Sequence, residues 1–219
     1  MSAPVLHYIY DPLCGWCYGA SPLVDASRAI EGLRIEPHGG GMMMGGNRRP
    51  VSEALRNYVM PHDERIAAMT GQVFGPDYFD GLLRDTTAVF DSAPPTTAVL
   101  AAAELGGQDA ALDMLKRIQT AHYVQGKRVA ELEVLAALAS EIGLAAGDFA
   151  VRWEQLTGAA LHAHIADSRA LLERLGGTGF PTFALQTLHG YTVLEPGRYL
   201  GRPAEWQHML RTRIAAAQP

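Results

Sequence analysis

The sequence predicts an α/β chain: a sheet domain assembled from both ends of the chain, interrupted by a large all-helical insertion. Three observations predict it. Strand-like runs occur only near the two ends, residues 51 to about 157 read as helix broken by Gly and Pro, and the end portions read β-α-β and α-β-β-α. With 219 residues, 48% of them hydrophobic, the chain can bury a substantial core.

The first strand, VLHYIY at 5–10, is rich in β-branched and aromatic residues and ends at Asp11-Pro12. From Gly15 to about Ile30 the pattern turns helical, with Leu23, Val24, Ala26, Ala29 and Ile30 as its apolar positions. A second strand follows at 33–39, where Leu33 and Ile35 alternate with Arg34 and Glu36. The Gly-rich stretch GGGMMMGGNRRP (39–50) then breaks the pattern. Pro94-Pro95 suit a first helical turn entered from Ser92 as N-cap, since an N-terminal N–H has no intrahelical partner to lose. Further helices are expected over 110–124, over 130–144 with a stop at Gly143, and over about 158–175 with a stop at Gly176-Gly177. FPTFAL (180–185) and GYTVLEP (190–196) form a hairpin, and a last helix at about 203–215 carries Trp206, Met209, Leu210 and Ile214 at helical spacing. Residues 1–48 and 158–219 are therefore assigned to the sheet domain and 49–157 to the helical insertion. Without the insertion the order is β-α-β-α-β-β-α, that of the thioredoxin fold.

The net charge is −5, and the densest basic spot is the single pair Arg48-Arg49. Nothing there favours nucleic acid or an anionic membrane as a partner. No apolar run approaches the ~18 residues of a membrane span, and MSAPVLHYIYD lacks the basic start and apolar segment of a signal peptide. The expected location is the cytoplasm, where thiols are kept reduced and a structural disulfide is not expected.

The chain's two cysteines, Cys14 and Cys17, stand together as CGWC where the first strand gives way to helix. A thiolate there gains from the unpaired N–H groups and positive dipole end of the helix, and the thiolate is the form that attacks disulfides. Cys14 would be the more accessible sulfur, and Cys17, one turn further in, could attack a mixed disulfide at Cys14 and release the substrate. A zinc site would want four ligands with paired spacing. No second CxxC exists, His7 is the one histidine close in sequence, and His162 and His164 face different ways on a helix. No metal is therefore expected. In GTGFPTF (177–183), Pro181 opens a strand where it cannot donate to the ladder. A cis bond after Phe180 would leave the backbone before it free to pair with an extended substrate beside the active sulfur.

VLHYIYDPLCGWCYGASPLV and GFPTF resemble the DsbA family of disulfide oxidoreductases, more closely its cytoplasmic, FrnE-like branch and the predicted disulfide-isomerase group with a CGWC site. The resemblance spans essentially the whole chain and implies a DsbA-like thioredoxin fold with its inserted helical domain. It implies Cys14 as nucleophile, Cys17 as resolving thiol and Pro181 as the cis-proline. Strongly oxidising secreted members carry a His between their cysteines, whereas Gly15-Trp16 add no charge here, so a less depressed thiol pKa and a less oxidising couple are expected. Kappa-class glutathione transferase relatives replace the first cysteine by Ser; this chain keeps both.

Other residues carry two readings each. Trp16 can shield Cys14 and meet a peptide substrate, or simply pack. Asp11 can accept a proton during exchange, or shape the turn before Pro12. Met42, Met43 and Met44 can offer an adaptable docking surface, or fill core space. Tyr58, Tyr78, Phe79 and Phe90 are expected in the core of the insertion, and His62, His122 and His189 show no pattern.

These observations favour a thiol–disulfide oxidoreductase that reduces or isomerises protein or small-molecule disulfides, with Trp16, Phe180 and Pro181 toward the substrate. No cofactor beyond the dithiol is expected; glutathione or a thioredoxin system would recycle it. In a cytosol poised at about −220 to −320 mV the pair would rest mostly reduced. The alternatives are a redox-sensitive adaptor on the same fold and a glutathione-dependent transferase or isomerase of the kappa type.

Overall fold

A computed structural model describes residues 3–217. Strands β1 (Val5–Tyr10), β2 (Arg34–Gly39), β5 (Thr182–Thr187) and β6 (Gly190–Leu194) form one sheet in the order β2-β1-β5-β6. β1 and β2 run parallel, whereas β1–β5 and β5–β6 are antiparallel. The order joins strands from both chain ends, so β1 sits centrally and its last residues open directly onto the CGWC turn.

Alternation along β1 sorts its side chains between two faces. Tyr8 lies opposite Phe183 and stacks on it at 4.6 Å between ring centroids. Phe183 in turn meets Trp206 of helix α8 (Pro203–Ala216), whose indole N–H donates to Ser27 Oγ at 2.8 Å on α2 (Ser21–Arg28). Trp206 is fully buried, and satisfying its one polar atom removes the cost of placing it there. The other face carries His7 on β1 together with Glu36 and His38 on β2.

The helical insertion contains α3 (Glu53–Thr70), α4 (Ala93–Tyr123), α5 (Leu132–Glu141) and α6 (Ala146–Leu156), and α7 (Ala159–Arg174) leads back to the sheet. α4 bends at Gly107, which adopts φ 79°, a left-handed conformation that suits glycine. None of these helices is long and apolar enough to cross a membrane.

The structure departs from the sequence expectations at several points. The helix expected from Gly15 to Ile30 is two helices, α1 (Gly15–Gly19) and α2, because Pro22 has no N–H to continue the ladder across Ala20. Two short strands, β3 (Arg49–Pro50) and β4 (Val89–Phe90), pair in a region expected to be all helical; two residues carry no readable periodicity. Ser92 stands at the start of α4 but does not cap it. Its hydroxyl goes to Asp11 instead, and Asp91 accepts the Ala93 amide at 2.9 Å. Tyr78 and Phe90 are core residues and Phe79 packs against the core, but Tyr58 is 68% exposed, because its position on α3 faces a cavity rather than the core.

Candidate active site

Cys14 is the residue before α1, and its carbonyl accepts the Tyr18 amide, so the turn of α1 is wound directly on it. Cys14 retains 6% of its surface and Cys17 none, and neither is in a disulfide. The Cys14 thiol donates to the Phe180 carbonyl at 3.5 Å, and the Phe180–Pro181 peptide is cis. Two segments 166 residues apart in sequence thus meet at one sulfur.

Glycine permits that meeting. A Cβ at Gly40 would fall 2.1 Å from the Phe180 ring, so any larger residue there would force the ring to shift. Gly40 is held by its amide on Tyr10 O at 2.7 Å, and Arg169 of α7 donates to the Gly40 and Gly41 carbonyls at 2.9 Å each.

Asp11 resolves toward its turn-shaping reading. Its carboxylate accepts from the Leu13 amide at 2.9 Å, the Met42 amide at 2.5 Å and the Ser92 hydroxyl at 2.9 Å. One buried side chain therefore ties together the CGWC turn, the Gly/Met loop and the start of α4. Burial pushes its carboxyl above the ordinary aspartate value, against the pull of those three donors and of Arg169.

Cys17 lies beneath, where the Tyr8 hydroxyl donates to its carbonyl at 3.3 Å. Burial, and then the neighbouring Cys14 sulfur, pushes the Cys17 thiol well up.

Cys14, Gly15 and Trp16 form part of the wall of a cavity of about 370 Å³, completed by Met42, Met43, Asn47 and Arg49 from the loop and by residues of α3. Trp16 is half-buried on this wall, with the Arg65 guanidinium 5.9 Å from its ring centroid. Met42 and Met43 line the cavity and pack against the core. His62, patternless in the sequence, stands at the rim with Tyr58, their rings 5.1 Å apart.

The cavity also holds a residue that the sequence reading missed. Asp63 of α3 is 5% exposed and accepts the Tyr78 hydroxyl at 2.9 Å. Burial raises its carboxyl to about 7, against that one hydrogen bond. Its Oδ1 lies 2.6 Å from where a Cβ of Gly15 would be, so the glycine of CGWC is what lets this carboxyl lie against the active turn. The signal was present: Asp63 occupies an apolar stripe with Val59 and Ile66.

A buried dithiol, one sulfur facing a cavity and the carbonyl of the residue before a cis-proline, is arranged for disulfide exchange. That chemistry and the fold define a thiol–disulfide oxidoreductase. The sequence pattern of the DSBA-like thioredoxin domain matches residues 5–195, and the chain belongs to that family. The chain is similar to the cytosolic disulfide reductase DsbM from Pseudomonas aeruginosa, with 58% identity over 97% of this chain and 100% of that one and a TM-score of 0.90. A second structure, of the same reductase with GSH, matches at 57% identity over 96% of this chain and 99% of that one, TM-score 0.88. A candidate protein disulfide isomerase from Nitrosomonas europaea shares the fold at 23% identity over 99% of this chain and 100% of that one, TM-score 0.79. No curated protein matches the sequence.

Proposed function

We propose that the chain is a cytosolic disulfide reductase that uses glutathione as its reductant, with Cys14 as nucleophile and Cys17 as resolving thiol. The Cys14 thiolate attacks one sulfur of a substrate disulfide, forming a mixed disulfide and expelling the other sulfur as a thiolate that takes up a proton. Cys17 loses its proton, attacks Cys14 and releases the second substrate thiol, leaving Cys14–Cys17 oxidised. Two glutathione thiols then return the pair to the dithiol and leave as glutathione disulfide.

One observation carries the reading: the Cys14 sulfur is set at once on the Phe180 carbonyl and on the cavity wall. An extended substrate can pair with the backbone before Pro181 while its disulfide lies at Cys14, with Trp16 and Phe180 flanking it. The direction and the reductant are supported by the likeness to a cytosolic disulfide reductase whose structure is also known with GSH. In this reading residues 49–157 are the domain that closes the cavity over the dithiol, and residues 1–48 with 158–219 are the domain that holds it.

Turnover of a glutathione-linked disulfide substrate by the purified chain, with glutathione regenerated by its own reductase, tests the proposal. Cys14→Ser should abolish turnover, a loss on the order of 10³-fold or more. Cys17→Ser should react once and stall as a mixed disulfide visible by intact mass. Equal turnover by wild type and Cys14→Ser would sink it. Undiminished binding of a partner protein by the Cys14→Ser/Cys17→Ser chain, without turnover in wild type, would favour an adaptor instead.

A further inference from the structure

The sheet face that carries His7 holds a cluster with no part in disulfide exchange. Parallel pairing sets His7 of β1 directly opposite Glu36 of β2, and alternation places His38, two residues on, on the same face. We infer that His7, Glu36 and His38 form a binding site for a divalent late first-row transition ion, of which Zn²⁺ is the representative.

The donor atoms are already gathered. His7 Nδ1 lies 3.0 Å from His38 Nε2 and 3.5 Å from Glu36 Oε2, and His38 Nε2 lies 4.0 Å from that same oxygen. A circle through three points so spaced has a radius of about 2.1 Å, which is the length of a Zn–N or Zn–O bond. An ion at its centre would reach all three atoms with little rearrangement. Two imidazoles and one carboxylate are the donor set of Zn²⁺ and its neighbours rather than of Ca²⁺ or Mg²⁺, and three protein ligands leave a tetrahedral ion one position for water. Glu36 and His38 are only half-buried, so water has access.

The groups behind these atoms point them inward. Gln186 of β5 offers its amide oxygen to His7 Nε2 at 2.8 Å. That oxygen only accepts, so Nε2 carries the proton and the Nδ1 lone pair faces Glu36 and His38, whose Nε2–H donates to it at 3.0 Å and whose proton a bound ion would displace. Arg34 binds the other carboxylate oxygen, Oε1, at 2.9 Å and leaves Oε2 for the cluster. The His7 ring stacks on His38 at 5.2 Å and meets Tyr191 at 5.4 Å, which limits its rotation. Such supporting contacts are what metal-binding imidazoles and carboxylates characteristically require.

The test uses the full chain without a polyhistidine tag, as the Cys14→Ser/Cys17→Ser variant so that thiols cannot take the ion. Titration with Co²⁺ should give visible d–d absorption saturating at one equivalent with no sulfur charge-transfer band, and Zn²⁺ should displace it. Glu36→Gln and His38→Gln, each confirmed folded by circular dichroism, should weaken Zn²⁺ at least about 10-fold. In the chain with His7, Glu36 and His38 intact, Zn²⁺ should shift the imidazole resonances of His7 and His38 together. Absence of saturable Co²⁺ and Zn²⁺ uptake, or uptake that both substitutions leave unchanged, would mean that the cluster is a hydrogen-bonded histidine pair and nothing more.

Discussion

Asp11 and Asp63 are two buried carboxyls near the same cysteine pair, and they differ in how many donors hold them. Asp11 is fully buried and accepts from two amides and a hydroxyl; Asp63 is nearly as buried and accepts from one phenol. Burial disfavours the charge of both. At Asp11 three donors and Arg169 oppose it, whereas at Asp63 Tyr78 alone does, and that carboxyl rises to about 7. The first is a structural tie and the second a group poised to change charge near neutrality, at the cavity that Cys14 faces.

The comparison breaks most visibly if Asp11 is truncated. Asp11→Ala would strand the Leu13 and Met42 amides and the Ser92 hydroxyl in a buried setting, each costing about 1–3 kcal/mol. A loss of about 3–5 kcal/mol in urea unfolding is expected. A loss below about 1 kcal/mol would mean that water replaces the carboxylate, and that Asp11 is no tie at all.

Asp63→Asn should act in the other direction and depend on pH. In the fold Asp63 holds its proton to about pH 7, while unfolded it ionises near 3.8. Between those values the native chain binds the extra proton, so stability falls as pH rises from about 4 to 7 and levels off above. The full difference corresponds to at most about 4 kcal/mol. The asparagine variant should lose that slope and be the more stable protein at pH 8, by urea unfolding at pH 5 and pH 8. Parallel profiles for the two proteins would place the Asp63 carboxyl in the ordinary range.

Gly15→Ala sharpens the comparison from the cysteine side. The added methyl would lie 2.6 Å from Asp63 Oδ1 and 3.0 Å from the Ile66 Cδ1 atom, so the carboxyl must withdraw from the turn. A cost of about 1–3 kcal/mol is expected, together with a shift in the pH slope assigned to Asp63. A neutral substitution with the slope unchanged would show that the two residues do not share space in solution.

Which of these residues could be read beforehand follows from where their signals lie. Cys14, Cys17 and Pro181 punctuate the sequence, by residue type and spacing, and their order along the chain places them in the fold. Asp63 was hidden because it sits between exposed His62 and Glu64, and an acidic residue on a helix ordinarily marks a solvated face. Only its register with Val59 and Ile66 betrays it. His7, Glu36 and His38 were invisible as a group, since they converge through strand register that no local pattern states. The break between α1 and α2 was available at Pro22, which precedes every apolar position that marked the expected helix.

His122 supplies the smallest effect and the opposite sign. It was patternless in the sequence and is buried among Tyr78, Phe90 and Tyr123, with no partner for either ring nitrogen among the described residues. Burial pulls its pKa down to about 3. On acidification the unfolded chain takes up the imidazole proton first, so this site's contribution is complete above about pH 6.5 and is lost as pH falls toward 3. His122→Phe keeps an aromatic ring against its neighbours while removing two unpaired polar atoms and the titration. It should add about 1–2 kcal/mol at pH 7 and more at pH 5. Because Tyr78 contacts both groups, by hydrogen bond to Asp63 and by ring to His122, the double variant with Asp63→Asn measures their coupling. Additive gains would make them independent titrations on either side of Tyr78, whereas a smaller combined gain would show that Tyr78 passes the charge of one to the other.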